Sequence, residues 1–178
     1  MKSIQKPIVI VGAGFAGMTV ALNLKNINPS LPILVVDSVS NFIFKPLMYE
    51  ILSKEIRMWE AAPKFSKIFS NAGITFLNSC LTKISFKDNS LEFSDELKLN
   101  YQYLILCTGS VPNTFAIKGV DENCYFFNDL EDLSKLNYFL PCNKKYLYLS
   151  NLIKALKIVF DELSQGIAFC FYLLFGLI

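Results

Sequence analysis

The feature that most constrains the fold is a glycine-rich segment near the start of the chain. The apolar run Ile8 to Val11 leads directly into Gly12, Gly14 and Gly17, at the spacing G-x-G-x-x-G. An uninterrupted apolar run of this kind is typical of a strand buried in a parallel sheet. Gly12 allows a sharp turn, Gly14 lets an anionic group approach the backbone, and Gly17 lets the next helix pack closely on the strand. The segment therefore predicts a strand, turn and helix that bind a phosphate at the helix N-terminus.

The residues that follow complete a dinucleotide-binding unit. Apolar residues recur at helical spacing after Gly17, and prolines end that helix before a second apolar run, Ile33 to Val36. Asp37 is placed to accept hydrogen bonds from ribose hydroxyls and would repel a 2′-phosphate. The alternatives are that the glycines form only a tight turn and that Asp37 is a solvated residue at a strand end. The strand, helix, second strand and acid arrive at the expected distances, and this combination favours a dinucleotide.

Composition excludes several kinds of chemistry. The chain has 178 residues, 53% of them hydrophobic, which suits one α/β domain with an ample core. It contains no histidine, which rules out histidine-dependent catalysis and histidine-containing metal sites. A net charge of +2 gives no reason to expect nucleic acid. The five cysteines are widely scattered, and we interpret them as small buried apolar residues rather than a redox dithiol.

Residues 41–65 do not resemble an ordinary amphipathic helix. Pro46 predicts a bend, and Lys45 offers a cation near the strand ends, where a ligand would lie. Trp59 and Tyr49 offer flat surfaces. Lysines are mostly solvated, so a solvated Lys45 is an equal alternative, and for the aromatic residues we favour a place in the core. The apolar residues expected in the core are Phe42, Phe44, Leu47 and Ile51.

Residues 74–107 predict β-structure. Leu81 to Phe86 and Ser90 to Phe93 are expected to pair as a hairpin around Asp88-Asn89. The other expected strands are Ile74 to Leu77, Leu97 to Leu99 and Leu104 to Cys107. The last of these, fully apolar, is expected to be another central parallel strand. Its C-terminal loop carries Thr108 and Gly109, which we expect beside the glycine loop, although a simple turn after a strand is the alternative.

Taken in order, these motifs resemble one known family. They are Gly-Ala-Gly-Phe-Ala-Gly at 12–17, Asp37, Phe-Lys-Pro-Leu-Met-Tyr-Glu at 44–50, Trp-Glu-Ala-Ala-Pro at 59–63, and Tyr-Leu-Ile-Leu-Cys-Thr-Gly-Ser-Val-Pro-Asn at 103–113. Residues 7–140 resemble the type II NADH dehydrogenases, and within them the cyanobacterial and plastid branch of demethylphylloquinone reductase-like enzymes. The resemblance implies a Rossmann-like, three-layer FAD-binding fold with a parallel sheet and a small antiparallel β-meander.

The resemblance also implies an activity and a set of site residues. A flavoprotein of this family takes a hydride from NAD(P)H onto non-covalently bound FAD and passes two electrons to a membrane quinone, here of phylloquinone type. Because the flavin supplies the redox chemistry, no catalytic side chain and no metal is expected. By position, the glycine loop would wrap the pyrophosphate, Asp37 would hold the ribose, Lys45 would lie toward the flavin, and the Leu81 backbone would meet the adenine. The cofactor-binding residues implied are Gly12, Ala13, Gly14, Phe15, Ala16, Gly17, Asp37, Ser38, Lys45, Leu81, Thr108 and Gly109.

The C-terminal part of the sequence departs from the family. We expect residues 1–141 to be the N-terminal part of an FAD-binding domain and residues 142–178 to be an unmatched helical and apolar tail, whose final apolar run is too short to span a bilayer. The family's second glycine motif, for NAD(P)H, is not found. We therefore expect a truncated product, not competent alone, of an FAD-dependent oxidoreductase gene. The alternatives are a non-catalytic nucleotide-binding remnant of a frameshifted gene and, more weakly, an NAD-binding dehydrogenase domain.

Partners and location follow from the resemblance alone. It implies a quinone as electron acceptor and leaves the oligomeric state open. Two locations are compatible with it: the cytoplasm, or a peripheral position on the cytoplasmic face of a bacterial membrane of thylakoid or plasma-membrane type.

Overall fold

The computed structural model describes residues 5–142, and every structural statement below concerns that part of the chain. The tail expected at residues 142–178 lies, apart from its first residue, outside the described residues. Within the described range the chain forms two compact units. The first unit comprises residues 5–42 and 62–109, and the second comprises residues 43–61 and 110–142.

The described secondary structure contains seven strands and six α-helices. The strands are β1 (Ile8–Val11), β2 (Ile33–Asp37), β3 (Thr75–Asn78), β4 (Leu81–Ser85), β5 (Ser90–Phe93), β6 (Lys98–Asn100) and β7 (Tyr103–Leu106). The helices are α1 (Phe15–Ile27), α2 (Met48–Leu52), α3 (Met58–Ala61), α4 (Phe65–Asn71), α5 (Val120–Asn123) and α6 (Leu130–Cys142). Each strand expected from the sequence is present, with its ends shifted by at most one residue.

The first unit is built on a parallel sheet with the order β3-β2-β1-β7. Val9 at its centre lies opposite Leu34 on one side and Leu104 on the other. A separate antiparallel sheet joins β4, β5 and β6, and its first hairpin turns at Asn89, whose φ is +48°. The expected combination of a parallel sheet with an antiparallel meander is therefore confirmed.

Side chains alternate between the two faces of the parallel sheet and produce three layers. On one face Ile10 and Val35 belong to a buried cluster with helical residues such as Ala21 and Phe69. On the other face Val9 and its neighbours pack with residues of the meander. Each fully buried aliphatic side chain contributes roughly 1.5–3 kcal/mol relative to an exposed one, so this double-sided burial stabilises the layered arrangement.

The position expected for β7 is wrong. The apolar run predicted a central strand, but within residues 5–142 β7 lies at the edge of the sheet, paired only with β1. Tyr103 and Leu106 are accordingly 61% and 53% exposed. The physical reason is that an apolar run indicates a preference for burial but does not specify whether the strand pairs with one neighbouring strand or with two.

The second unit is made of short helices around a small core. Pro46 lies in a 3-10 turn, Lys45–Leu47, which precedes α2 and accounts for the expected bend. Met48, Ile51, Ala61 and Leu133 form the buried cluster of this unit. None of the helices between residues 5 and 142 combines the length and apolar character needed to span a bilayer.

The burial expected for apolar and aromatic residues within the segment 41–65 is confirmed only in part. Phe42, in the first unit, and Ile51, in the second, are buried, and Leu47 packs against the core of the second unit. Phe44 and Trp59 are instead 39% and 67% exposed. Residues 43–61 form only a 3-10 turn and two short helices, which leave too little structure to cover both faces of the segment.

Candidate nucleotide-binding site

The glycine loop between β1 and α1 is shaped by its close packing on neighbouring backbone. Gly12 has φ +97°, and a Cβ atom at this position would overlap the carbonyl oxygen of Cys107. A Cβ atom at Gly17 would in turn overlap the carbonyl oxygen of Gly12. Gly12 therefore makes the turn, and Gly17 allows α1 to lie against it, as the spacing predicted.

Gly14 is exposed and has open space beside it. No atom would lie within 4 Å of a Cβ atom built there, and its φ of −62° is accessible to any residue. Protein packing therefore does not require glycine at this position. The open side of the loop is where an external group can reach the backbone.

The start of α1 is suited to an anion. Gly14 is the N-cap residue, no side chain caps the helix, and the first turn contains no acidic residue. The first amides of an α-helix lack partners within the helix, and its dipole places partial positive charge at this end. Phe15 and Ala16, which begin the helix, are exposed. A phosphate at this point would receive amide hydrogen bonds without competition from a capping side chain.

Asp37 ends β2 and bonds directly to the glycine loop. Its Oδ2 accepts a hydrogen bond from the backbone N–H of Ala13 at 2.6 Å, and its Oδ1 accepts one from Val39 at 3.0 Å. Ala13 is completely buried. The sequence predicted Asp37 only as an acceptor for a ribose, and this contact with the loop was missed.

The loop after β7 lies beside the glycine loop, as the switch-point rule predicted. The Cys107 amide donates to the Val11 carbonyl at 2.7 Å, which continues the β1–β7 ladder up to Gly12. Thr108 and Gly109 follow and are exposed. Gly109 has φ +71°, and a Cβ atom there would meet nothing within 4 Å. Like Gly14, it has open space beside it.

Two other predicted residues lie in the first unit near the end of β2. Ser38 directly follows Asp37 and is exposed. Leu81 begins β4 and is half-buried, and Ser79, two residues before it, donates its amide to the Asp37 carbonyl at 3.0 Å. The structure therefore brings eleven of the twelve predicted residues into one unit. The exception is Lys45.

Lys45 belongs to the second unit and has a partner that the sequence did not suggest. Its Nζ donates to Oδ1 of Asn128 at 2.7 Å. The Asn128 amide in turn donates to a carboxylate oxygen of Asp132 at 2.9 Å, near the start of α6. Lys45 therefore connects the 3-10 turn to the segment that leads into α6. No local sequence pattern could have indicated this contact, because the two partners are 83 residues apart.

An aromatic cluster supports the first turn of α1. The ring of Phe15 meets Phe42 edge-on, with centroids 5.0 Å apart, and Phe42 contacts Phe65 in a similar way. Phe65 then packs on Phe69 and Phe76. Edge-on and offset aromatic pairs of this kind add about 0.5–1.5 kcal/mol each to simple burial. The spacing of Phe65 and Phe69 at i, i+4 was the only local signal for the cluster.

The described cysteines differ in part from their expected burial. Cys107 and Cys124 are half-buried, whereas Cys80 is exposed, contrary to the expectation of buried apolar residues. Cys80 precedes β4 at the edge of the meander, where no layer covers it. Between residues 5 and 142 no cluster of three or more cysteine, aspartate, glutamate or histidine side chains is arranged to hold a metal ion.

Comparison with known proteins gives a family match over most of the chain. The family model described as pyridine nucleotide-disulphide oxidoreductase matches residues 6–141. The alternative NAD(P)H-ubiquinone oxidoreductase C1, chloroplastic/mitochondrial, from Arabidopsis thaliana is 30% identical over 147 residues, covering 73% of this chain and 28% of that protein. The demethylphylloquinone reductase NdbB from Synechocystis sp. is 28% identical over 144 residues, covering 76% of this chain and 36% of that protein.

Solved structures confirm the fold. The sulfide:quinone oxidoreductase from Aquifex aeolicus matches with a TM-score of 0.70 at 24% identity, covering 76% of this chain and 32% of that one. The NDH2 structure from Plasmodium falciparum matches with a TM-score of 0.67 at 24% identity, covering 75% of this chain and 28% of that one. The chain thus spans about a third, or less, of the length of these relatives.

Proposed function

We propose, from the premise that this chain belongs to the pyridine nucleotide-disulphide oxidoreductase family, that it is the FAD-binding part of an NAD(P)H:quinone oxidoreductase. The observation that carries the proposal is the open side of the glycine loop, where Gly14 at the start of α1 has free space beside it. Gly109, in the loop after β7, has the same property. Two backbone segments of one unit that are kept clear of side chains suit an extended phosphate-containing ligand.

The names of the relatives support the type of reaction. One relative is named for NAD(P)H and ubiquinone, and another for demethylphylloquinone. We carry over NAD(P)H as the hydride donor and a membrane quinone as the acceptor. The quinone of phylloquinone type belongs to this proposal because the segments at 44–50 and 59–63 resemble the demethylphylloquinone reductase-like branch.

The site residues can each be given a role toward FAD. The glycine loop, from Gly12 to Gly17, would hold the pyrophosphate through backbone amides at the start of α1. Asp37, with Ser38 beside it, would receive the adenosine ribose. Leu81 would offer its backbone to the adenine, and Lys45 would serve the flavin end. Thr108 and Gly109 would border the pyrophosphate from the neighbouring strand.

The protein's own part in the chemistry is binding and orientation. FAD held by these residues would supply the redox chemistry between NAD(P)H and the quinone. The residues named above supply no nucleophile, and the described part of the chain contains no side chain that we assign to proton transfer. They would hold the adenosine and pyrophosphate by fixed backbone groups, whose preorganisation limits the entropy lost on binding.

We further propose that residues 1–141 are an incomplete FAD-binding domain. The chain covers 28% and 36% of two of its relatives, so turnover would require sequence corresponding to their remainder. That remainder would supply the NAD(P)H site and the contact with the quinone. For the location we keep the two expectations from the sequence, namely the cytoplasm or a peripheral position on the cytoplasmic face of a bacterial membrane. The second of these would bring the protein close to a membrane quinone.

The first test is FAD binding by the purified full chain, measured by quenching of flavin fluorescence and by the shift in flavin absorbance. Gly14→Asp would place a carboxylate and its negative charge on the open side of the loop, and we expect it to weaken FAD binding at least tenfold. Asn23→Asp is the matched control, because it adds the same charge on the exposed face of α1, about two turns further along.

The outcomes separate the proposal from its alternative. Binding by the wild type and by Asn23→Asp, but not by Gly14→Asp, supports FAD at the glycine loop. Reduction of the bound flavin by NADH or NADPH only after the missing part of the protein is supplied would identify an incomplete oxidoreductase. Failure of the wild type to bind FAD would contradict the proposal and favour a non-catalytic remnant.

A further inference from the structure

The Asp37 carboxylate makes contacts that ligand binding alone does not require. Each of its two oxygens accepts one backbone amide, Ala13 on Oδ2 at 2.6 Å and Val39 on Oδ1 at 3.0 Å. The Ala13 bond joins residues 24 positions apart and connects the end of β2 to the glycine loop. Hydrogen bonds to a charged group contribute more to stability than those between neutral groups. Both oxygens of Asp37 therefore take part in the backbone structure around the glycine loop.

Among the contacts of residues 5–142, the Ala13 amide donates to the Asp37 carboxylate. The residue is completely buried, so solvent does not reach its amide freely. A buried amide that loses its hydrogen-bond partner destabilises the conformation around it. The bond to Asp37 consequently favours the observed conformation of the loop at Ala13, between the turn at Gly12 and the open side at Gly14.

We propose that Asp37 is a positioning residue for the glycine loop, acting through the Ala13 amide, in addition to any role as a ribose acceptor. The Ala13 amide is then not one of the groups that hold the pyrophosphate, and that task falls to the amides that follow it. This last part rests on the proposed function; the positioning of the loop does not.

The two roles are chemically compatible. An ionised carboxylate has two oxygens with about four lone-pair sites and no donor. Two sites accept Ala13 and Val39, which leaves capacity for ribose hydroxyls. Asparagine cannot reproduce this pattern, because its NH₂ group would face one of the two amide N–H groups. Asparagine keeps one oxygen, which can still accept from Ala13, whereas Asp37→Ala removes both acceptors and should therefore release the loop.

The direct test is amide hydrogen exchange, followed by NMR on the ligand-free full chain. We expect the Ala13 amide to be protected in the wild type and to exchange at least about tenfold faster in Asp37→Ala, as loss of a charge-assisted bond implies. The amides of Ile10 and Val35 in the sheet should change little. Asp88→Asn is the matched control, since the Asp88 carboxylate accepts a hydrogen bond from the Ser85 hydroxyl at the hairpin, away from the glycine loop.

Each outcome of this test decides the proposal. Equal exchange of the Ala13 amide in the wild type and in a folded Asp37→Ala variant would overturn it. An unprotected Ala13 amide in the wild type would also overturn it, and this measurement needs no variant at all. Faster exchange confined to the glycine loop would support it.

A second test separates positioning from ribose recognition. Binding of ADP and of 2′,3′-dideoxy-ADP, which lacks the ribose hydroxyls, is compared for the wild type and Asp37→Ala by calorimetry. We expect the Asp37→Ala substitution to weaken the binding of both nucleotides by about tenfold or more. Weaker binding of ADP alone would show that Asp37 acts only on the ribose hydroxyls. If the wild type binds neither nucleotide, FAD titration decides the proposed function and hydrogen exchange decides the positioning role.

Discussion

At the scale of single residues, the three glycines of the loop have different physical reasons to be glycine. A Cβ atom at Gly12 or Gly17 would overlap a backbone carbonyl oxygen, whereas one at Gly14 would meet nothing within 4 Å. The sequence motif shows the three residues as equivalent. The structure divides them into two that the fold requires and one that it does not.

This division predicts that stability and ligand binding respond to different substitutions. Gly17→Ala should lower the free energy of unfolding by about 3 kcal/mol, the upper part of the usual range for overpacking, because the backbone must move. Gly14→Ala should leave it within about 0.5 kcal/mol, as expected for an unhindered exposed site. Urea denaturation measures both. FAD titration of Gly14→Ala should still show weaker binding, and an unchanged affinity would mean that the ligand does not approach there.

At the scale of elements, the sequence predicted the strands well because their apolar runs and turn residues act locally. The hairpin at Asp88-Asn89 is an example, since Asn tolerates the positive φ of +48° found at Asn89. The edge position of β7 and the contact between Lys45 and Asn128 could not be predicted, because both depend on residues distant in sequence. The same limit hid the bond from Ala13 to Asp37.

The layer between the parallel sheet and the meander allows a test at this scale. Leu91 on β5 is completely buried there, together with Val9 and Val36. Leu91→Ala should lower the free energy of unfolding by about 2–5 kcal/mol, the usual effect of a cavity in a packed core. Phe86→Ala, at a residue that is 73% exposed, should change it by less than about 0.5 kcal/mol. A small effect at Leu91 would show that the meander does not pack stably on the sheet.

For the whole molecule, the edge strand β7 is a candidate site for association with another chain, within the described residues. An exposed strand edge presents unpaired backbone groups that can pair with another chain, and lysine on such an edge opposes that pairing. Tyr103→Lys should therefore reduce concentration-dependent association, measured by sedimentation velocity. Tyr138→Lys is the control, because Tyr138 is 81% exposed on α6. An equal decrease in both variants would assign the effect to net charge rather than to the edge.

The contact between Gly12 and Cys107 also determines when the glycine loop can form during synthesis. The first strand, helix and second strand follow one another along the chain and can associate as soon as they leave the ribosome. The turn at Gly12, however, packs against the Cys107 backbone, and Ile8 pairs with Tyr103. The packing of Gly12 on the Cys107 backbone is therefore absent until translation has passed β7. Before that point the loop is stabilised by contacts within the first strands and helix.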